Sequence, residues 1–267
     1  MPESIRFDDG AAYERFMGRW SRLVGDLFLD WLALPPRQRW LDVGCGNGAF
    51  TALLLDREAP AFVEGIDPSE AQLAYATAQL VSPAVHFQRG DAMTLPVADG
   101  SMDAAVMPLV IFFVPDPAAG VAEMVRVVRP GGTVAAYAWD MPGGGFPYAA
   151  LHAELHALGV EVSAPPSAAA SRLDVLQALW ADAGLQDVSS CTFTVQRTFA
   201  DFDDYWATIL GGPSVGRQLA SLSARGITQL QAALHARLPA PDAAGRITVG
   251  ARANAIRGAV PAPTEGG

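Results

Sequence analysis

Apolar and polar positions change rhythm along this chain and divide it into regions. Over 9–34, Tyr13, Phe16, Met17, Trp20, Val24, Leu27, Phe28 and Trp31 recur at helical spacing, which predicts one or two amphipathic helices ended by Pro35-Pro36. Short apolar runs then alternate with helical stretches. Strands are expected at 40–43, 62–66, 85–88, 104–107 and 133–139, with helices at 49–56, 70–80 and 118–128 between them. Ser69, behind Pro68, is the expected N-cap of the 70–80 helix. Pro130-Gly131-Gly132 reads as the stop after 118–128. Such alternation implies right-handed crossovers and a parallel sheet covered on both faces, with 85–88, and His86 in it, read as buried. After Trp139 the pattern loosens. Residues 141–146 are glycine-rich, and 164–170 is a Pro/Ser/Ala segment read as mobile. A helix over 172–183 leads to a strand at 188–198. Helices at 202–210 and 227–238 precede a last strand at 246–256, suited to antiparallel pairing with 188–198, and a frayed tail.

Sheets of this kind bind ligands beyond the carboxyl ends of their strands. There the run Trp40-Leu41-Asp42-Val43-Gly44-Cys45-Gly46-Asn47-Gly48-Ala49-Phe50 reads as a strand, a glycine turn and a helix start. Glycines 44, 46 and 48 permit positive φ and close approach of a ligand to the main chain. Unpaired N–H groups at the helix start would face that ligand. Gly44-x-Gly46-x-x-Ala49 also fits the looser dinucleotide fingerprint, and a purely structural turn has the same appearance. Asp67 closes the second strand, about 20 residues on, where a carboxylate accepts both ribose hydroxyls or simply caps a helix. In Gly90-Asp91-Ala92-Met93 the aspartate suits an exocyclic amine, the Ala92 N–H a ring nitrogen and Met93 a ring face, although a plain turn reads alike. The glycine turn, Asp67, Asp91 and Pro108 all fall at one sheet edge.

Composition narrows the guest. The formal charge is −10 and every one of the 18 basic residues is arginine, so no basic stripe is available for a phosphate backbone. Without lysine, the Tyr-x-x-x-Lys pair of short-chain dehydrogenases cannot form. Although 51% of residues are hydrophobic, no uninterrupted apolar run reaches the ~20 that span a bilayer. Residues 1–9 show no secretory pattern, which points to the cytoplasm. Cys45 and Cys191 have no metal-ligand spacing, and a small side chain suffices at Cys45.

The ordered set Leu-Asp-Val-Gly-Cys-Gly-Asn-Gly, Gly-Ile-Asp-Pro-Ser, Gly-Asp-Ala, Ser-Met-Asp-Ala-Ala-Val and Arg-Pro-Gly-Gly-Thr resembles class I S-adenosylmethionine-dependent methyltransferases over about 38–140. It is most similar to the small-molecule branch that includes quinone C-methyltransferases. The resemblance implies an α/β, Rossmann-like, seven-stranded, mostly parallel sheet of order 3-2-1-4-5-7-6, with helices on both faces and a helical cap. The corresponding divisions are a lid at 1–34, a cofactor core at 35–140, the rest of the core with cap insertions at 141–258, and a disordered tail at 259–267. Carried over, Asp42, Gly44, Cys45, Gly46 and Gly48 would shape the pocket for the methionine part of S-adenosylmethionine. Asp67 and Pro68 would serve the ribose, Asp91, Ala92 and Met93 the adenine, and Pro108 and Leu109 the wall. Tyr13, Met17 and Arg22 would close as a lid, or pack as an ordinary helix.

The chain departs from the family at Ile111-Phe112-Phe113-Val114-Pro115-Asp116, where many relatives carry histidines. Phenylalanine cannot accept a proton, which leaves core packing or an aromatic wall. A base for the acceptor, if needed, would come from His152 or His156, spaced i,i+4, or from Tyr148, with Trp139 and Asp140 as weaker candidates. The histidine pair lacks the glutamate and third ligand of a zinc motif, so no metal is expected. The implied partner is a small-molecule methyl acceptor, and the implied assembly a monomer or homodimer. Two rivals remain at this point: a protein of the same fold that binds the cofactor without transferring methyl, and a nicotinamide-dependent oxidoreductase.

Overall fold

The computed structural model describes residues 14–212 and 215–262. Its centre is a seven-stranded sheet of order β3-β2-β1-β4-β5-β7-β6. The strands are β1 (Arg39–Val43), β2 (Phe62–Asp67), β3 (Val85–Arg89), β4 (Met102–Pro108), β5 (Val128–Trp139), β6 (Gln186–Phe199) and β7 (Ile247–Ala259). β1 to β5 run parallel, with Trp40 beside both Val63 and Ala104. β7 is antiparallel to both neighbours, Trp139 facing Ala253 and Phe199 facing Ile247. The carboxyl ends of β1 to β6 therefore share one edge.

Helices cover the two faces. A single π-turn (Glu14–Gly18) leads into α1 (Arg19–Leu32), whose Trp20, Val24, Phe28 and Leu32 recur every fourth residue and are sealed in the core. α1 packs on α2 (Ala49–Glu58) and on β6 and β7, with Phe28 4.7 Å from the Tyr137 ring. The opposite face carries α4 (Pro117–Val127) and α6 (Leu173–Asp182), packed on each other. β7 shows the division in its alternation. Arg257 donates to the Trp31 and Leu32 carbonyls of α1, while Asn254 donates to Ser171 just ahead of α6. The α3 helix (Glu70–Gln79) begins as expected, with Ser69 Oγ accepting from the Gln72 N–H. Beyond β5 lie α5 (Ala149–Ala157), α7 (Phe202–Ile209), α8 (Val215–Ala220) and α9 (Ala224–Arg237).

The structure corrects four expectations. Pro130-Gly131-Gly132 does not precede the fifth strand but lies inside it, because β5 starts at Val128 directly after α4. The chain absorbs the triplet through a register shift between Met102 and Ala104 and through Gly131, whose φ is +76° and whose N–H donates to Val260. The segment read as mobile is anchored at its end. Ser167 bonds to the carbonyls of Phe112 and Val114, and Ser171 is fully buried, its Oγ accepting from Met141. β3 is an edge strand rather than a buried one, with His86 exposed and its Nδ1 2.7 Å from Glu64. β7 runs into the expected tail, ending at Ala259, and Val260 still bonds to Gly132. Residues 263–267 lie outside the described residues. The sequence pattern did not anticipate α8, and α9 starts three residues earlier than expected because Ser223 caps it through Gly226.

Candidate cofactor site

The loop between β1 and α2 is held by its own main chain. Glycines 44, 46 and 48 have φ of +75°, +53° and +83°. The N–H groups of Gly44 and Cys45 both donate to the Ile66 carbonyl, at 2.7 and 3.0 Å, tying the loop to β2. Gly48 donates to Cys45, and Ala49 donates to Asn47 Oδ1 at 3.2 Å. These two N–H groups, expected to face a ligand, are thus satisfied locally by an asparagine cap and a tight turn. Gly46 is different: a Cβ there would meet nothing within 4 Å, so the loop presents an open main-chain surface at this point. Gly44 is closed, since a Cβ would stand 2.5 Å from a Val110 methyl. Gly44→Ala should therefore lower stability by about 2 kcal/mol through the left-handed backbone and the contact together. Chemical denaturation would measure the loss, and Val110→Ala in the same chain should recover part of it.

Two carboxylates flank this loop. Asp42, on β1, has no solvent exposure. Its Oδ2 accepts from Thr51 Oγ1 at 2.6 Å, and its Oδ1 has no partner. Burial pushes its acid up to about 7, the Thr51 hydroxyl opposes that, and the nearby charge of Asp67 adds to it. Asp67, the last residue of β2, accepts from Gly46 N–H at 2.9 Å and from Ser69 N–H at 2.8 Å. Burial raises its acid as well, against those two N–H groups. Each Asp67 oxygen keeps a further lone pair for a hydroxyl donor. Pro68, next to it, is exposed. The Cys45 thiol is buried and pushed well above its ordinary range, chiefly by desolvation, so it stays protonated.

The ends of β3 and β4 complete the edge. Gly90 N–H donates to the Asp67 carbonyl, and Asp91 is exposed with Oδ1 accepting from Met93 N–H at 2.8 Å. Ala92 and Met93 are half-buried beside it. Pro108 closes β4 beside Tyr137, and Leu109 follows with φ +60°, its N–H donating to the Tyr137 carbonyl. A leucine in the left-handed region costs about 1–2 kcal/mol. This strained turn aims Val110 at Gly44 and leads into the buried Ile111 and Phe112, so the segment that departs from the family packs into the core. Contacts from Asp67 to Gly46, Gly90 to Asp67 and Val110 to Gly44 therefore join all four loop ends.

The remaining described candidates have other partners. Tyr13 lies outside the described residues, and Met17 is buried in the π-turn. Arg22 makes an exposed 3.5 Å pair with Asp56, about two turns along α2 from the glycine loop. The Tyr148 hydroxyl donates to the Phe16 carbonyl at 2.7 Å and accepts from Trp20 Nε1 at 3.1 Å, while burial holds its acid at about 12. This residue clamps the start of α1. Tyr148→Phe should cost about 2 kcal/mol by freeing two buried groups, read as a shifted denaturation midpoint. A rate loss without that shift would instead indicate proton transfer. His152 stacks on Phe146 at 5.0 Å, and burial lowers its acid to about 4, so it is neutral near pH 7; His156 is exposed. Asp140 is taken up by Arg252 at 2.7 Å, and Trp139 is buried. Thr51 and Asn47 escaped the sequence reading. Their only signals are a hydroxyl one turn into α2 and an asparagine two residues before it. Among the described residues there is no metal-ligand cluster, and no helix is long and apolar enough to cross a membrane.

With this geometry in view, the chain can be set beside known proteins. Residues 41–136 match the family model described as a methyltransferase domain. A demethylmenaquinone methyltransferase from Renibacterium salmoninarum is 32% identical over 185 residues, 64% of this chain and 74% of that protein. The first curated relatives are matched more narrowly, the chain spanning 33 to 41% of their length. Among solved structures, the YcgJ protein of Bacillus subtilis superposes with a TM-score of 0.62 at 19% identity, over 91% of this chain and 99% of that one. The [4+2]-cyclase SpnF superposes at 0.55 with 20% identity, over 90% and 81%. The strand order and the antiparallel β7 agree with the fold of these matches, and the chain belongs to the class I S-adenosylmethionine-dependent methyltransferase family.

Proposed function

We propose that this chain transfers a methyl group from S-adenosylmethionine to a small, partly apolar acceptor. The observation that carries the reading is the pairing of two buried carboxylates across an open glycine: Asp67 bonded to Gly46, and Asp42 with an orphaned oxygen. That arrangement fits a ligand with hydroxyl donors at one end and a cationic amino acid at the other. Asp67 would hold the ribose hydroxyls, and Asp42 with the Gly44–Gly48 main chain the methionine end. Asp91, Ala92 and Met93 would hold the adenine, and Pro108 and Leu109 the wall. The cofactor, when bound, supplies a methyl group on a sulfonium, which is already a good leaving group. The chain's own tasks are then to align the acceptor and exclude water. Among the described residues the joined loop ends carry no histidine, and Tyr137 meets Leu109 through its carbonyl while its ring packs on Phe28 and Phe50, so the reading favours an acceptor that needs no strong base from this chain.

Calorimetry with S-adenosylhomocysteine and with NAD tests the cofactor. Binding of the first alone supports the proposal, and tight NAD binding without the first overturns it. Incubation of a metabolite extract with methyl-labelled S-adenosylmethionine, followed by product identification, tests the transfer. The fold shared with a [4+2]-cyclase favours one second reading, a cofactor-holding catalyst without methyl transfer. Retained S-adenosylhomocysteine binding with no labelled product would support that instead.

A further inference from the structure

A second set of unpaired polar atoms lies between β6 and α7. Arg197, on β6, has its Nε and Nη1 shut off from solvent without a partner, and its Nη2 reaches only Thr208 Oγ1, at 3.5 Å. No carboxylate among the described residues pairs with it. The guanidinium lies over the Phe199 ring at 4.6 Å, and Phe199 meets Tyr205 edge-on at 5.1 Å. The Tyr205 hydroxyl is buried and unpaired as well. Tyr148 stands 6.2 Å from the Tyr205 ring and feels the Arg197 charge. Trp20 and Trp139 continue the aromatic wall, and Trp139 Nε1 is also without a partner.

Other arginines of this protein find full partners, carboxylates for Arg126 and Arg252 and two backbone carbonyls for Arg257. A guanidinium keeps its charge throughout the working pH range, and burying it without a counter-ion is costly. Native proteins rarely leave such donors unmet unless a ligand, ion or water meets them. The guanidinium and the Tyr205 ring border the same Phe199 side chain, and their unmet donors suit one negative group on an apolar body. The place suits the acceptor too. Arg197 and Phe199 end β6, and Trp139 ends β5, at the sheet edge that carries the glycine loop.

Building on the proposed methyl transfer, we infer that Arg197 and Tyr205 bind the carboxylate of the acceptor, which is therefore an aromatic or similarly apolar acid. The cofactor loops face the reacting end, and the arginine holds the far, charged end.

The test uses two probes of equal shape, 2-naphthoate and its neutral amide 2-naphthamide, titrated calorimetrically into the full chain with S-adenosylhomocysteine present. The naphthoate should bind about tenfold more tightly or better, the scale of a charge-assisted hydrogen bond. Arg197→Met should erase that preference and leave S-adenosylhomocysteine affinity unchanged. Tyr205→Phe, a milder change, should weaken naphthoate severalfold and spare the amide. Equal binding of the two probes by the wild type overturns the inference. So does a preference that survives in Arg197→Met, or a variant that shifts only thermal stability, as a purely structural arginine or a buried water would produce. Failure to bind S-adenosylhomocysteine would count against the cofactor reading instead, since the probe preference reports on Arg197 separately.

Discussion

Asp67→Ala is expected to weaken S-adenosylhomocysteine binding by more than about a hundredfold while leaving the unliganded protein as stable as before. On the proposed assignment, two ribose hydroxyls donate to this carboxylate. Bonds to a charged acceptor contribute about 1.5–3 kcal/mol each, so losing both costs at least about 3 kcal/mol of binding. The stability side follows from the same environment. Burial raises the Asp67 acid, which means its ionised form is already held at a cost in the empty site. Alanine removes that cost along with the bonds to Gly46 and Ser69, both half-buried and within reach of water. Titration calorimetry and a denaturation curve on the same preparation separate the two effects. Affinity within threefold of the wild type would refute the ribose assignment, and a large stability loss would show that Asp67 chiefly holds the loop.

Asp42 gives the second large effect, visible in the dependence of stability on pH. Its acid lies at about 7 in the folded protein against 3.8 as the reference value. Below pH ~4 the group is protonated in both states and contributes nothing. Between ~4 and ~7 the unfolded chain releases the proton while the folded chain keeps it, so stability falls as pH rises and levels off above ~7. From about pH 4.5 to about pH 8 the wild type should lose roughly 3 kcal/mol relative to Asp42→Asn. Asparagine retains an acceptor for Thr51 and adds a neutral amide, whose cost is constant with pH. The slope is therefore the readout. Denaturation curves of the two proteins that run parallel across this range would overturn the assignment. The variant should also bind S-adenosylhomocysteine more weakly, because the orphaned Asp42 oxygen meets the cationic amino end in the proposed site.

These effects turn on groups that differ in how far a sequence reveals them. Asp67 stands out because a strand–helix–strand unit has a nearly constant length, which puts a β2-end carboxylate about 20 residues after the glycine turn. Ser69 as a cap and the antiparallel last strand were legible for similar, local reasons. Val110 was not. It presses on Gly44 only because Leu109 takes a left-handed backbone that its residue type disfavours and that packing around Tyr137 enforces. Arg22 is a lid group only by resemblance to the family, and its exposed pair with Asp56 is visible only in the structure. Tyr148 read as a candidate base, and its position 128 residues from Trp20 made the clamp invisible along the chain.

By itself, the sequence determined the alternation of strands and helices, the strand order through its family motifs, and the residue types at the glycine turn and at the ends of β2, β3 and β4. Those features depend on short-range periodicity and on main-chain geometry, which neighbouring residues control. Only the tertiary structure decided which polar groups are left unpaired. Asp42 Oδ1, Arg197 and Tyr205 owe their states to elements brought together from far along the chain, and burial, unlike periodicity, is a property of the whole assembly. The edge proposed for the cofactor is thus largely written in local sequence, and the surroundings of Arg197 proposed for the acceptor are written in packing.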